Sequence, residues 1–171
     1  YAAQTGYSPS SVTTANYLIV GPAIWTNLAG GSWPVVGNWL SGNMGTGANV
    51  PADFSTLDLT ADATVTLDGA RTIGGLKFGD STPSHNWILN TGSGGPLTLA
   101  TTTGTPVIEV VNQTTTLGVV LAGTQGLVKS GVGTLALNTA NSLTGTVTIS
   151  KGSLTLGNTT AAGTGTITVG D

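Results

Sequence analysis

The chain has 171 residues, of which only 6% are charged, and it combines 27 glycines with a mean hydropathy of +0.26. Disordered chains show the opposite balance, so a single folded domain is expected. The net charge of -3 forms no patch, and Arg71, Lys77, Lys129 and Lys151 are too few and too dispersed to neutralise a nucleic-acid backbone. There is no cysteine, which excludes disulfides, thiolate metal sites and a cysteine nucleophile.

Residues 1 to 24 read as an N-terminal arm. The chain begins at Tyr1 without an initiator Met, as a processed or truncated chain does. Ala15 to Val20 reads as a strand ended by Gly21-Pro22, and Tyr17, Leu18, Ile19 and Val20 are apolar enough to pair with another subunit. The most apolar run, Tyr17 to Trp25, is about half the length that spans a bilayer, so no transmembrane segment is predicted.

Residues 1 to 52 carry no charge at all, whereas about a quarter of residues in an ordinary soluble domain do. Within them, residues 25 to 52 hold Trp25, Trp33 and Trp39 among glycines and prolines, too irregular for a repeating coil. Two readings fit: a cap over the first coil of a solenoid, or a carbohydrate platform of three indoles. The cap is favoured.

From Asp53 onward the chain alternates Leu, Val or Ile with Thr in short runs bounded by Gly, Asn or Ser, the pattern of half-buried strands. Predicted strands are Ser55 to Thr60, Ala63 to Asp68, Arg71 to Gly79, Asn86 to Asn90, Gly95 to Ala100, Pro106 to Val111, Thr114 to Ala122, Leu127 to Lys129, Gly133 to Asn138, Thr146 to Ser150, Gly152 to Gly157 and Gly165 to Val169. Pro83 to Trp87 is the one insertion-like turn. Asn138, Asn141 and Asn158 are candidates for stacked amide ladders.

The runs also repeat. Ile167, Val147, Leu127, Val107, Trp87 and Leu67 follow each other at about 20 residues, and Leu154, Leu135, Leu117, Leu97, Leu76 and Leu57 form a second series at about 18 to 21. Two interleaved series with one period are what stacked coils of a solenoid produce. Glu109 implies that Ile108 and Val110, rather than Val107, point inward in that run.

The segments Gly126-Leu-Val-Lys-Ser-Gly-Val-Gly-Thr-Leu-Ala-Leu137, Asn141-Ser-Leu-Thr-Gly-Thr-Val-Thr-Ile149 and Lys151-Gly-Ser-Leu-Thr-Leu-Gly157 resemble the autotransporter-associated β-strand repeat of large bacterial surface proteins. The resemblance is strongest over Gly126 to Gly157, and the Trp25 to Pro51 segment is similar to the leader that often precedes such repeats. It implies a right-handed parallel β-helix outside the cell and no catalytic residues. The expected architecture is therefore all-β, a β-solenoid of about six coils over residues 53 to 171 with an irregular Trp-rich cap at its head.

Chemistry is thinly represented. Asp58, Asp62, Asp68, Arg71 and Lys77 form the only conceivable polysaccharide-cleaving face, although Asp68-Gly69 is more simply a turn. His85 is the only histidine and Ser84 beside it lacks a glycine elbow, so neither a His-based metal site nor a serine nucleophile is indicated. No enzyme and no cofactor are expected. The expected function is a structural subunit of an extracellular filament, assembled end to end from copies of itself through Tyr17 to Val20 and the final strand with Ile167 and Val169. The alternative is an adhesin passenger fragment that binds surface glycans.

Overall fold

The computed structural model describes residues 21 to 170; Tyr17, Leu18, Ile19 and Val20 lie outside the described residues. The chain winds as three-sided coils. It starts with β1 (Ala23–Ile24) and β2 (Gly31–Ser32), makes two 3-10 turns at Val36–Asn38 and Leu40–Gly42, and then completes four coils. These are β3 (Pro51–Phe54), β4 (Ala63–Thr66) and β5 (Arg71–Ile73); β6 (Gly75–Phe78), β7 (Trp87–Asn90) and β8 (Leu97–Leu99); β9 (Val107–Val110), β10 (Thr114–Gly118) and β11 (Leu121–Gly123); and β12 (Leu127–Ser130), β13 (Thr134–Leu137) and β14 (Ser142–Leu143). A fifth coil with β15 (Val147–Ile149) and β16 (Ser153–Leu156) follows, and β17 (Ile167–Val169) then returns to the first sheet beside β15.

Strands one coil apart pair in parallel and build three sheets. The first runs β1-β3-β6-β9-β12-β15-β17, the second β2-β4-β7-β10-β13-β16 and the third β5-β8-β11-β14. The fold is the expected all-β solenoid, with about five turns rather than six. β1, at the end of the arm, extends the first sheet through Ala23↔Ala52, and β2, within the 25 to 52 segment expected to be irregular, extends the second through Gly31↔Val65.

The period is not uniform. Leu127, Val147 and Ile167 pair in succession at 20 residues, but 32 residues separate Gly75 from its partner Val107, and 24 separate Pro51 from Gly75. Trp87 consequently does not stand beneath Val107; it lies in the second sheet, between Ala63 and Thr115. In the other series Leu135 and Leu154 do pair, while Leu117 pairs with Leu137, and Leu97 and Leu76 belong to the third and first sheets. Single-sequence counting joined apolar residues of different sheets, because all three sheets carry the same alternation.

The added residues sit at corners. From the first sheet to the second the chain takes eight residues in the β3 and β6 coils (55 to 62 and 79 to 86), against three in the next three coils (111 to 113, 131 to 133 and 150 to 152). Ser55 to Thr60, expected as a strand, is part of such a corner, with Pro51–Phe54 supplying the strand instead. The long coils enclose the large side chains Phe54, Phe78 and Trp87; the short ones enclose Val110, Leu135 and Leu137. Arg71 to Gly79 and Thr114 to Ala122 each turn a corner and so split into two strands.

Alternation places Ile108 and Val110 wholly inside, while Val107 is 42% exposed, as the outward Glu109 requires. Trp25, Trp33 and Trp39 pack with Phe54, Phe78 and Trp87 in one cluster, including a 4.9 Å stack of Phe54 on Phe78 and a 4.9 Å edge contact of Trp25 with Trp39. Each indole nitrogen donates to a carbonyl: Trp25 to Asn27, Trp33 to Gly45, Trp39 to Trp33 and Trp87 to Gly79. No indole is left with an unmet donor, so burial costs these side chains little.

Lys129 is also wholly buried. Its neighbours in the same inward row are Ile108 and Ile149, so its stem continues an apolar stack. Its Nζ donates to the carbonyls of Ser130 (2.6 Å), Gly131 (2.8 Å) and Lys151 (3.0 Å), joining two successive corners. Gly131 turns there at φ 76, which a β-carbon would strain. Burial lowers the Lys129 pKa, opposed by the charge of Glu109. The lysine and glycine of the repeat motif thus form one unit: three ammonium protons matched to three corner carbonyls.

The asparagines do not form amide ladders. Asn141 accepts from Leu121 N at 2.7 Å and donates to Ala161 O at 2.6 Å, tying its coil to those on either side through the main chain. Asn158 accepts from Thr160 within its own turn. It is threonine that pairs across coils, Thr146 with Thr166 and Thr148 with Thr168, at 3.3 and 3.1 Å.

Two substitutions test the column. Leu135→Ala leaves a cavity in a fully buried row and is expected to cost about 2 to 5 kcal/mol in urea melts. Lys129→Met keeps the stem but strands the three carbonyls, for an expected loss of about 3 kcal/mol. A loss under about 1 kcal/mol would show that the cost of burying the ammonium cancels its bonds.

Candidate functional site

The acidic and basic residues of the supposed cleavage face do not converge. Asp68 and Arg71 lie at the corner between the second and third sheets; Asp58 and Asp62 lie in the corner before β4; Lys77 projects from the first sheet. Asp68 adopts a left-handed φ of 48° and accepts from Ser32 Oγ (2.5 Å), Thr66 Oγ1 (2.5 Å) and Ser93 N (2.7 Å). The Ser32 and Thr66 hydroxyls, with Ser93, hold its pKa down at about 2. A carboxylate so weakly basic is poorly matched to proton transfer near neutral pH. It closes a corner across three coils instead.

Arg71 occupies an inward position at the start of β5, with Cζ 6.0 Å from the centre of the Trp33 ring. Among the described residues its Nε is buried without a hydrogen-bond partner. Asp62 accepts from the main-chain and side-chain nitrogens of Asn86, which lower its pKa.

The eight-residue corner before β7 is organised by Asp80, which is almost fully buried. Its carboxylate accepts from the main-chain nitrogens of Leu59 (2.9 Å), Ser84 (3.0 Å) and His85 (3.0 Å), and from Ser84 Oγ (2.9 Å). Burial raises its pKa, but these bonds outweigh burial and the net shift is downward. Asn112, one coil on, exchanges two bonds with the Asp80 main chain. His85 Nδ1 stands 2.7 Å from Ser84 Oγ and 3.0 Å from the Leu59 carbonyl, which can only accept. The ring proton therefore sits on Nδ1, and Nδ1 cannot take a proton from Ser84, whose hydroxyl is directed to Asp80. Serine, histidine and aspartate are adjacent here without the roles of a triad.

Trp25, Trp33 and Trp39 present no ring face to solvent, so the indole platform for a glycan is not what this segment offers. Ile167 and Val169 on β17 are 44% and 76% exposed. They continue the inward rows of Val147 and Ile149 at the edge of the first sheet. Among the described residues no helix is long and apolar enough to cross a membrane.

One surface feature was missed by sequence reasoning. A groove of about 300 Å³ runs across the first sheet between Pro51 and Val107, floored by Gly74, Gly75 and Leu76. The Lys77–Glu109 ion pair at 3.7 Å and Thr101 and Thr105 border it. The available signal was the Gly74-Gly75 pair, which interrupts an otherwise regular alternation two residues before the outward Lys77.

Stacked coils, parallel pairing and rows of one-sided apolar residues define the class: a parallel β-solenoid. No family model matches the chain, and no solved structure does. Over 143 residues, 84% of its length, it is 36% identical to the adhesin BmaC autotransporter of Brucella suis biovar 1 (strain 1330), of which it spans 4%. The chain is thus similar to an autotransporter adhesin, and its repeat motif, corner lysine and solenoid fold are those that the resemblance to the autotransporter-associated β-strand repeat implied. Its place is at the cell surface or outside the cell.

The Asp68 corner makes a pH-dependent prediction. Its pKa falls from about 3.9 in an unfolded chain to about 2 in the fold. Its contribution is therefore complete above about pH 4 and is lost as pH falls through 2. Asp68→Asn should lessen the decline of Tm between pH 5 and pH 2; Asp62 and Asp80, shifted the same way, keep some of it. Equal declines in the two proteins would show that the corner does not hold the charge.

Proposed function

We propose that this chain is a rigid, non-enzymatic segment of an adhesin passenger, presenting its outer faces to another cell's surface. The observation that carries this reading is the 36% identity to an autotransporter adhesin over 84% of a chain whose described residues form one continuous solenoid. Main-chain ladders running the length of the column make it stiff, and stiffness lets weak surface contacts act together. A non-catalytic role is supported by the saturation of Asp68 and Asp80 and by the committed Nδ1 of His85.

A second reading is end-to-end self-association, in which Ile167 and Val169, continuing the inward rows of Val147 and Ile149, would receive a strand from another copy. Tyr17 to Val20 would supply the complementary strand. Sedimentation velocity addresses it: association that grows with concentration and is abolished by Val169→Lys supports it, and a monomer throughout contradicts it.

The adhesin reading is tested with fluorescent beads coated with the chain and applied to cultured epithelial cells. Beads are expected to adhere well above those coated with an unrelated solenoid, and equal adherence would sink the reading.

A further inference from the structure

Pro51, Gly75 and Val107 occupy one outward row of the first sheet, on the successive strands β3, β6 and β9. Because the middle residue has no side chain, the row is notched between a pyrrolidine ring and an isopropyl group about 10 Å apart, two strand spacings. The notch is enforced by the backbone. A Cβ on Gly75 would lie 2.7 Å from the Val107 carbonyl oxygen, and one on Gly74 would lie 2.5 Å from the Asn49 main chain.

The next outward row holds Asp53, Lys77 and Glu109. Asp53 is already engaged with the nitrogen and hydroxyl of Ser55. Lys77 Nζ and Glu109 Oε2 are 3.7 Å apart, too far for a direct hydrogen bond, and both side chains are about two-fifths exposed. Each therefore keeps free capacity, donors on the ammonium and acceptors on the carboxylate.

The third wall, bearing Thr101 and Thr105, belongs to the loop of residues 100 to 106 in the 32-residue coil. It is held in place from two sides. Gln125 Nε2 donates to the carbonyls of Thr101 (2.8 Å) and Gly104 (3.1 Å), its Oε1 accepts from Thr101 N (2.9 Å), and Asn49 Oδ1 accepts from Thr102 N (2.7 Å). The wall is thus set before anything binds.

We propose that this notch is a subsite for one neutral sugar residue of a surface glycan, which deepens the adhesin reading and rests on it for the source of the ligand. Adjacent ring hydroxyls bridge the ion pair, one donating to Glu109 and its neighbour accepting from Lys77. The C–H face of the ring lies against Val107 and Pro51, and Thr101 and Thr105 offer further hydroxyls. Neutrality follows from the pair: what an anionic sugar gains at Lys77 it loses at Glu109. The volume of about 300 Å³ stands at the small end of the roughly 300 to 1,000 Å³ of ligand sites, room for one ring rather than a chain.

The test is an NMR titration of the isotopically labelled 171-residue chain with glucose, galactose, mannose and N-acetylglucosamine, and with glucuronic and sialic acids as anionic probes. At least one neutral sugar should shift the amides of Gly74, Gly75, Lys77, Thr105 and Val107 with a millimolar dissociation constant. Lys77→Met and Glu109→Gln should each weaken it at least about tenfold, the loss of one charged hydrogen bond, with unchanged melting temperatures. Silence from every neutral sugar, a response to anionic sugars alone, or shifts that persist in both variants would overturn the proposal. Bead adhesion separates the two readings. Beads that adhere without any sugar shift overturn the subsite alone, whereas sugar shifts with non-adherent beads support the subsite and overturn the adhesin reading.

Discussion

Six aromatic rings pack together at one end of the described coils, whose core is otherwise aliphatic, and the form of the solenoid follows from them. All four tryptophans and both phenylalanines of the chain lie in this cluster. In a solenoid each coil is stabilised chiefly by its neighbours, so side chains that fill the space between coils set the column's width. Trp25, Trp33 and Trp39 pack against Phe54 of the β3 coil at low entropy cost, and each indole donor meets a main-chain carbonyl.

Volume inside then governs shape outside. Coils that enclose phenylalanine and tryptophan have eight-residue corners and carry the Asp80 loop; coils that enclose valine, leucine and the lysine stem have three-residue corners. Among the described residues the Asp68 corner and the Asp80 loop belong to the long coils, and the Gly75 notch lies where the second of them meets β9. The short coils offer threonine ladders instead. Loops carry recognition because a rigid scaffold holds them, and here the scaffold's width decides where loops exist.

The strands, the parallel stacking and the pairing of Leu135 with Leu154 were legible in the sequence, since alternation and turn residues report on local structure. Coil length was not. Three sheets share one alternation, so an apolar residue of the second sheet, such as Trp87, substitutes in a one-dimensional count for one of the first, and a 32-residue coil passes for shorter ones. The burial of Lys129 was hidden for a different reason: charge on a residue reads as exposure unless its acceptors are known, and those come from Ser130, Gly131 and Lys151, the last one coil away. Asp68 shows the same limit. Its partner Ser32 is 36 residues distant, so a closed corner was indistinguishable from a free carboxylate.

Native-state hydrogen exchange tests most directly whether the aromatic end anchors the column. Amide opening in a stack of coils should be costliest where each coil has a packed neighbour on both sides and cheapest at an open edge. The expected result is slowest exchange in β3, β4, β6 and β7, with protection falling coil by coil toward β17. Uniform protection along the chain, or a maximum in β15 and β16, would contradict an anchor at the aromatic end.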